Sequence, residues 1–201
     1  MSDAHGHQPD APGELEARTL ALESLLVEKG LLESEAVDRI IDTFERDIGP
    51  MRGARAVARA WLDPAYKARF LADPKAALTE LGITDHMMEA IVAVENTPAV
   101  HNVVVCTLCS CYPWSVLGLP PTWYKSAPYR SRVVREPRVV LGEMGLSLDP
   151  GVEVRVWDSS ADVRYLVLPE RPAGTEDWDE ERLAAIVTRD AMIGVAKPSP
   201  G

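Results

Sequence analysis

A chain of 201 residues is long enough for one domain with a terminal arm and too short for several independent cores. Its composition, 46% hydrophobic and 26% charged, is globular and excludes disorder for the bulk of the chain. With 31 acidic residues against 21 basic ones, the formal net charge of −10 argues against nucleic acid as a main partner.

The polar start, Met1–Gly13, is expected to be a flexible tail and does not read as a signal peptide. From Glu14 the apolar residues Leu15, Leu22, Leu25 and Leu26 recur at helical spacing up to Gly30, which suits a position just past a helix C-terminus. Ser34 is a candidate N-cap for a second helix carrying Val37, Ile40, Ile41 and Phe44, ended by Gly49-Pro50. The Ala- and Arg-rich stretch 54–62 predicts a third. Asp63-Pro64 and Asp73-Pro74 each place a capping carboxylate before a proline at the first helical position, so two short helices should follow.

The pattern then changes. Residues 99–106 contain Val103, Val104 and Val105 and read as a buried strand. Pro113, Gly118, Pro120 and Pro121 predict an irregular loop, and Pro137 opens a helix that stops near Gly145. Val152, Val154 and Val156 alternate with Glu153 and Arg155, Arg164–Leu168 reads as a further strand, and a final helix holds Leu183, Ile186 and Val187. The expected fold class is α+β: a flexible tail over residues 1–13, a helical arm over 14–50, and a layered α/β domain over 51–201 with a metal loop at a strand end. No apolar stretch approaches the roughly 18 residues of a membrane span, so no membrane partner is expected.

Cys106, Cys109 and Cys111, the only cysteines, fall within six consecutive residues. So few thiols, odd in number, argue against a secreted disulfide scaffold and for a cytoplasmic protein. Soft sulfur donors in one loop select zinc, copper(I), iron or similar ions. A disulfide between Cys109 and Cys111 would close a strained ring and leave a thiol over. Tetrahedral zinc needs a fourth ligand, and the nearest candidate, His101, reads better as a hydrogen-bonded strand histidine; His5, His7 and His86 are more remote. Another solution uses the backbone nitrogens of Ser110 and Cys111, deprotonated beside the sulfurs. Such a donor set suits a trivalent ion such as Co(III) or Fe(III), with a sixth position open.

The run from Val105 through Cys106-Thr107-Leu108-Cys109-Ser110-Cys111-Tyr112-Pro113-Trp114, followed by Leu117-Gly118-Leu119-Pro120-Pro121, resembles the metal-claw loop of the nitrile hydratase α subunit. The stretches 129–138, 156–160, 169–175 and 192–194 also resemble family segments, so the likeness covers nearly the whole chain. The resemblance implies hydration of a small nitrile to its carboxamide at one metal ion per chain. The ligands would be the sulfurs of Cys106, Cys109 and Cys111 and the amide nitrogens of Ser110 and Cys111, with Cys109 oxidised to sulfinate and Cys111 to sulfenate. Either activated water or the Cys111 sulfenate oxygen would attack the nitrile carbon. Thr107 and Tyr112-Pro113 resemble the cobalt type, making Co(III) the expected ion and Fe(III) the alternative.

The resemblance further implies a β subunit, in a heterodimer or heterotetramer, whose arginines hold the sulfur-bound oxygens, and an activator protein that delivers the metal. The 14–50 arm would pack on that partner. Asp158 and Arg164 are placed by the family motif as outer residues of the catalytic site, against a plain strand-end ion pair. Trp114, Leu117 and Leu119 are candidates for the substrate-pocket wall, against simple loop or interface packing. Ser115 departs from the proline usual after the tryptophan. Residues 125–138 hold five basic side chains against one acidic, either a solvated face or a complement to a negative centre. Two other readings stay open: the metal-bearing subunit of a thiocyanate hydrolase, and a non-catalytic metal or redox module.

Overall fold

The computed structural model describes residues 13–43, 48–84 and 90–200, with the side chain of Ser34 also outside the described set. Residues 1–12 of the expected tail, His5 and His7 included, lie outside the described residues, as do Phe44 and His86. The chain separates into two compact units at Thr43/Phe44.

In the first unit, α1 spans Glu14–Glu28 and α2 spans Ser34–Asp42. Ser34 is the first helical residue of α2, with Glu33 in the capping position. No residue of α1 is buried, and Leu15, Leu22, Leu25, Ile40 and Ile41 are all exposed.

The second unit opens with α3, Pro50–Leu62, which starts four residues before the expected position because Gly49 serves as N-cap and Pro50 supplies a preset φ at N1. Its small residues Gly53, Ala54, Ala56, Val57, Ala58 and Ala60 are all buried, so neighbouring elements approach it closely on most sides. The two Asp-Pro signals behave as read. Asp63 accepts from the amides of Ala65 and Tyr66 at the start of α4, Pro64–Ala72, and Asp73 accepts from Ala76 at the start of α5, Pro74–Glu80.

Four strands form two two-stranded parallel sheets: β1, Ala90–Glu95, with β4, Val163–Leu168; and β2, Val100–Val105, with β3, Glu153–Asp158. The strand β1 was not expected. A run of five apolar residues before Glu95 has no period that separates strand from helix, and only its parallel partner β4 decides the matter. Two further expectations need correction. The Pro-rich stretch after the cysteines is not wholly irregular: it holds α6, Trp114–Leu117, and a 3₁₀ turn, Thr122–Lys125, followed by α7, Ala127–Arg132. Pro113 sits at the cap of α6 and Pro121 at that of the 3₁₀ turn, positions where a missing N–H costs nothing. After α8, Pro137–Glu143, and α9, Glu180–Ala185, residues Ile186 and Val187 leave the helix, and a separate α10, Arg189–Ile193, closes the fold.

One apolar core runs through this unit. It unites Val103–Val105 of β2, Leu166–Leu168 of β4, Val57 of α3, Leu141 of α8 and Met192 of α10. At its base Gly194, with φ of +90°, lies so near the Asn102 carbonyl that a Cβ there would sit 2.0 Å from the oxygen.

Candidate metal centre

The register Val105↔Asp158 brings the carboxyl ends of β2 and β3 to one edge, where the chain leaves β2 as the cysteine loop. Ser159 donates its amide to the Val105 carbonyl at 2.7 Å, sealing the last rung beneath Cys106. The three Sγ atoms converge within 4.8 Å of one another, 3.5 Å from Cys106 to Cys109 and 3.2 Å from Cys109 to Cys111. Cys106 and Cys111 are buried and Cys109 is exposed; none is in a disulfide. The Cys109 amide donates to Cys106 Sγ at 3.3 Å.

These spacings carry geometric information. With metal–sulfur bonds of about 2.3 Å, two sulfurs at right angles lie about 3.3 Å apart, whereas tetrahedral ligands lie about 3.8 Å apart. The Cys109–Cys111 contact lies near the right-angled value, and the Cys106–Cys109 contact falls between the two. Among the described residues no fourth side-chain ligand joins the group. His101 in particular is occupied: its Nε2–H donates to the Gly194 carbonyl at 2.7 Å, and Nδ1 accepts from Asn96 Nδ2 at 3.2 Å. The burial that holds His101 in this network lowers its pKa, Lys197 adding to the effect and the Gly194 bond opposing it.

The donor set fits a thiophilic ion. Hydrogen bonds from the Cys111 and Cys106 thiols bring the Cys109 thiol down to about 7, so it loses its proton readily near neutrality. Burial pushes Cys111 up to about 12, reinforced by its thiol neighbours and opposed by the positive charge of Arg164. One thiolate forms easily here, while further negative charge needs a cation to compensate it.

Asp158 and Arg164 both reach the loop, but not as an ion pair with each other. Asp158 accepts the Thr107 amide on Oδ1 at 2.9 Å and the Thr107 hydroxyl on Oδ2 at 2.6 Å. Arg164 follows the turn out of β3, where Ser160 donates its amide to the Val163 carbonyl, and its Nε and Nη1 are buried without an acceptor among the described residues. Trp114, Leu117 and Leu119 do not share one environment. Leu117 is 1% exposed within the core, whereas Trp114 and Leu119 are 40% and 47% exposed. Ser110 is half-buried between its two cysteines. Ser115 is buried, its carbonyl accepting from Arg52.

Sequence reasoning missed the residues that anchor the loop from behind. Tyr124 donates its hydroxyl to the Cys111 carbonyl at 2.9 Å, and Tyr129 to the Val104 carbonyl at 2.7 Å. Both lie in an aromatic cluster with Trp123, and Tyr112 meets Tyr124 edge-on at 5.2 Å. The density of aromatics at 112–129 was the available signal; buried tyrosines need partners for their hydroxyls, and for Tyr124 and Tyr129 the main-chain carbonyls of Cys111 and Val104 supply them.

The model of the family described as nitrile hydratase, alpha chain, matches residues 13–196. The chain belongs to the nitrile hydratase alpha-chain family. It is 54% identical over 194 residues to the low-molecular weight cobalt-containing nitrile hydratase subunit alpha of Rhodococcus rhodochrous, covering 96% of this chain and 94% of that one. It is 55% identical over 183 residues to the cobalt-containing nitrile hydratase subunit alpha of Pseudonocardia thermophila, covering 90% of each. Thiocyanate hydrolase subunit gamma of Thiobacillus thioparus is 43% identical over 201 residues, covering 94% of this chain and 82% of the relative. Among solved structures, a double mutant of the Fe-type nitrile hydratase from Comamonas testosteroni Ni1 superposes with a TM-score of 0.88 at 45% identity, covering 92% of this chain and 90% of that one. The nitrile hydratase alpha-chain fold therefore occurs with either metal, and the cysteine loop of this chain brings together three sulfurs that could hold one.

Proposed function

We propose that this chain is the metal-bearing alpha subunit of a cobalt nitrile hydratase, converting a nitrile and water to the carboxamide together with a β subunit. The observation that carries this reading is the convergence of three sulfurs within 4.8 Å of one another, with no fourth side-chain ligand among the described residues. That donor set suits an ion that would take two further donors from the Ser110 and Cys111 backbone nitrogens and leave a sixth position open. Cobalt is favoured over iron by the names of the relatives above 50% identity and by Thr107 and Tyr112-Pro113.

When bound, a trivalent ion would supply Lewis acidity toward water and the nitrile. The chain's own residues do the rest. Cys106, Cys109 and Cys111 hold the ion, and oxidation of Cys109 and Cys111 would create sulfur-bound oxygens needing hydrogen-bond donors. Arg164, with two buried donor atoms unmatched among the described residues and its charge felt at Cys111, is placed to supply part of that need. Asp158 holds the loop through Thr107. Trp114 and Leu119, being exposed beside the loop, suit a pocket wall or a β-subunit contact; buried Leu117 serves from below as packing. An activator protein would deliver the metal.

The test is elemental analysis of the purified native complex with intact mass of this chain, followed by assays on a simple nitrile and on thiocyanate. We expect about one cobalt per chain, added oxygen on the cysteine peptide, and amide from the nitrile. Stoichiometric zinc on unmodified thiols would sink the reading, and ammonia from thiocyanate without amide would move the chain to the thiocyanate hydrolase group.

A further inference from the structure

Thr107 sits between the first two sulfur donors, and all three of its polar groups are engaged. Asp158 takes its amide and hydroxyl, and its carbonyl accepts from Arg130 Nη1 at 3.4 Å. The residues beyond it are open: Leu108 is 87% exposed, and Cys109 is exposed with its amide on Cys106 Sγ. The loop is therefore held at Thr107 and again at Cys111 by Tyr124, and the two ends set the relative placement of the sulfurs between them. Asp158 comes from β3; Arg130 comes from α7, on a different part of the chain.

Arg130 is poorly explained as a stabilising residue. Among the described residues its Nε is buried with no acceptor, and its one side-chain hydrogen bond is long and goes to a main-chain carbonyl. An unmatched buried donor opposes folding. Its neighbour Arg132 behaves in the opposite way, with Glu136 at 2.5 Å and Glu143 at 2.7 Å, tying α7 to α8 on the surface. The two arginines stand on one short helix, one serving the scaffold and one turned to the metal loop.

We propose that Arg130 is a positioning residue for the metal centre, fixing the Thr107–Leu108 peptide so that Cys106 and Cys109 keep their spacing as donors. The assignment rests on the metal-centre reading above. A guanidinium at this carbonyl restrains the peptide plane between the two sulfur donors.

The experiment uses the assembled complex, with β subunit and metal delivery, as wild type and as Arg130→Gln, Arg130→Lys and Arg132→Gln. Each is measured for metal per chain, oxygens on the cysteine peptide, the energy of the sulfur-to-metal absorption band, and kcat and KM. For Arg130→Gln we expect a displaced band, incomplete cysteine oxidation and kcat at least about tenfold lower with KM within about twofold, with partial recovery in Arg130→Lys. Arg132→Gln should lower Tm while leaving the band where it was. A wild-type band and kcat in Arg130→Gln would overturn the assignment, as would an equal displacement in Arg132→Gln. If a glutamine variant does not assemble, the lysine variant carries the test, and a wild-type band and kcat in it together with unchanged oxidation would overturn the positioning role. A wild-type complex without a transition metal would remove the underlying reading itself.

Discussion

Each thiol has its own environment, so the three cysteines should not fail alike. Replacing Cys106, buried at the strand end, or Cys111, beside Arg164, by alanine removes a donor from the protected side of the centre. We expect metal content and hydration activity to fall by at least about 100-fold, measured by elemental analysis and amide formation. Asp158→Asn keeps the shape but loses the charged acceptor of two Thr107 hydrogen bonds, and about 10- to 100-fold of metal retention or kcat should go with it. His101 makes a different contribution. Because burial holds its pKa below 6.5, the folded state resists protonation, so its share of stability is complete above about pH 6.5 and is lost as pH falls from there through the folded value. In denaturant titrations between about pH 7 and 5, His101→Gln should show a flatter decline than wild type, though starting from lower stability.

Among elements, the decisive arrangement is the parallel pairing of β2 with β3, which delivers Cys106 and Asp158 to the same edge. The turn out of β3 then returns Arg164 to that edge at the start of β4. The α10 terminus supports this from below, since Gly194 combines φ of +90° with near contact to Asn102 and accepts the His101 hydrogen bond. Gly194→Ala should cost about 3 kcal/mol or more, read as a lowered Tm, because the added methyl meets backbone that has nowhere to move. The capped helices were legible as elements because Asp63-Pro64 and Asp73-Pro74 act through bonds within three residues. The strand β1 was not, because its identity lies in a partner more than seventy residues away.

For the whole molecule, the two compact units differ in how they treat apolar residues. The second buries them in a common core; α1 of the first buries none. We expect the 14–50 region to serve as an arm for the β subunit. Deleting residues 1–43 should leave the remainder folded, with Tm within a few degrees by circular dichroism, while weakening co-elution with the β subunit by at least about tenfold. The amino-acid sequence by itself determined the kind of chemistry: three cysteines in six residues name a thiophilic ion, and their flanking residues name the family. It also determined the capped helices and the valine-rich strand, since those depend on near neighbours. Only the tertiary structure decided that His101 is bound to Gly194 and so is no ligand, that Asp158 grips Thr107 and not Arg164, and that Leu117 turns inward while Trp114 does not. These are contacts between residues distant along the chain, and their partners are chosen by strand register and core packing, which no local pattern records.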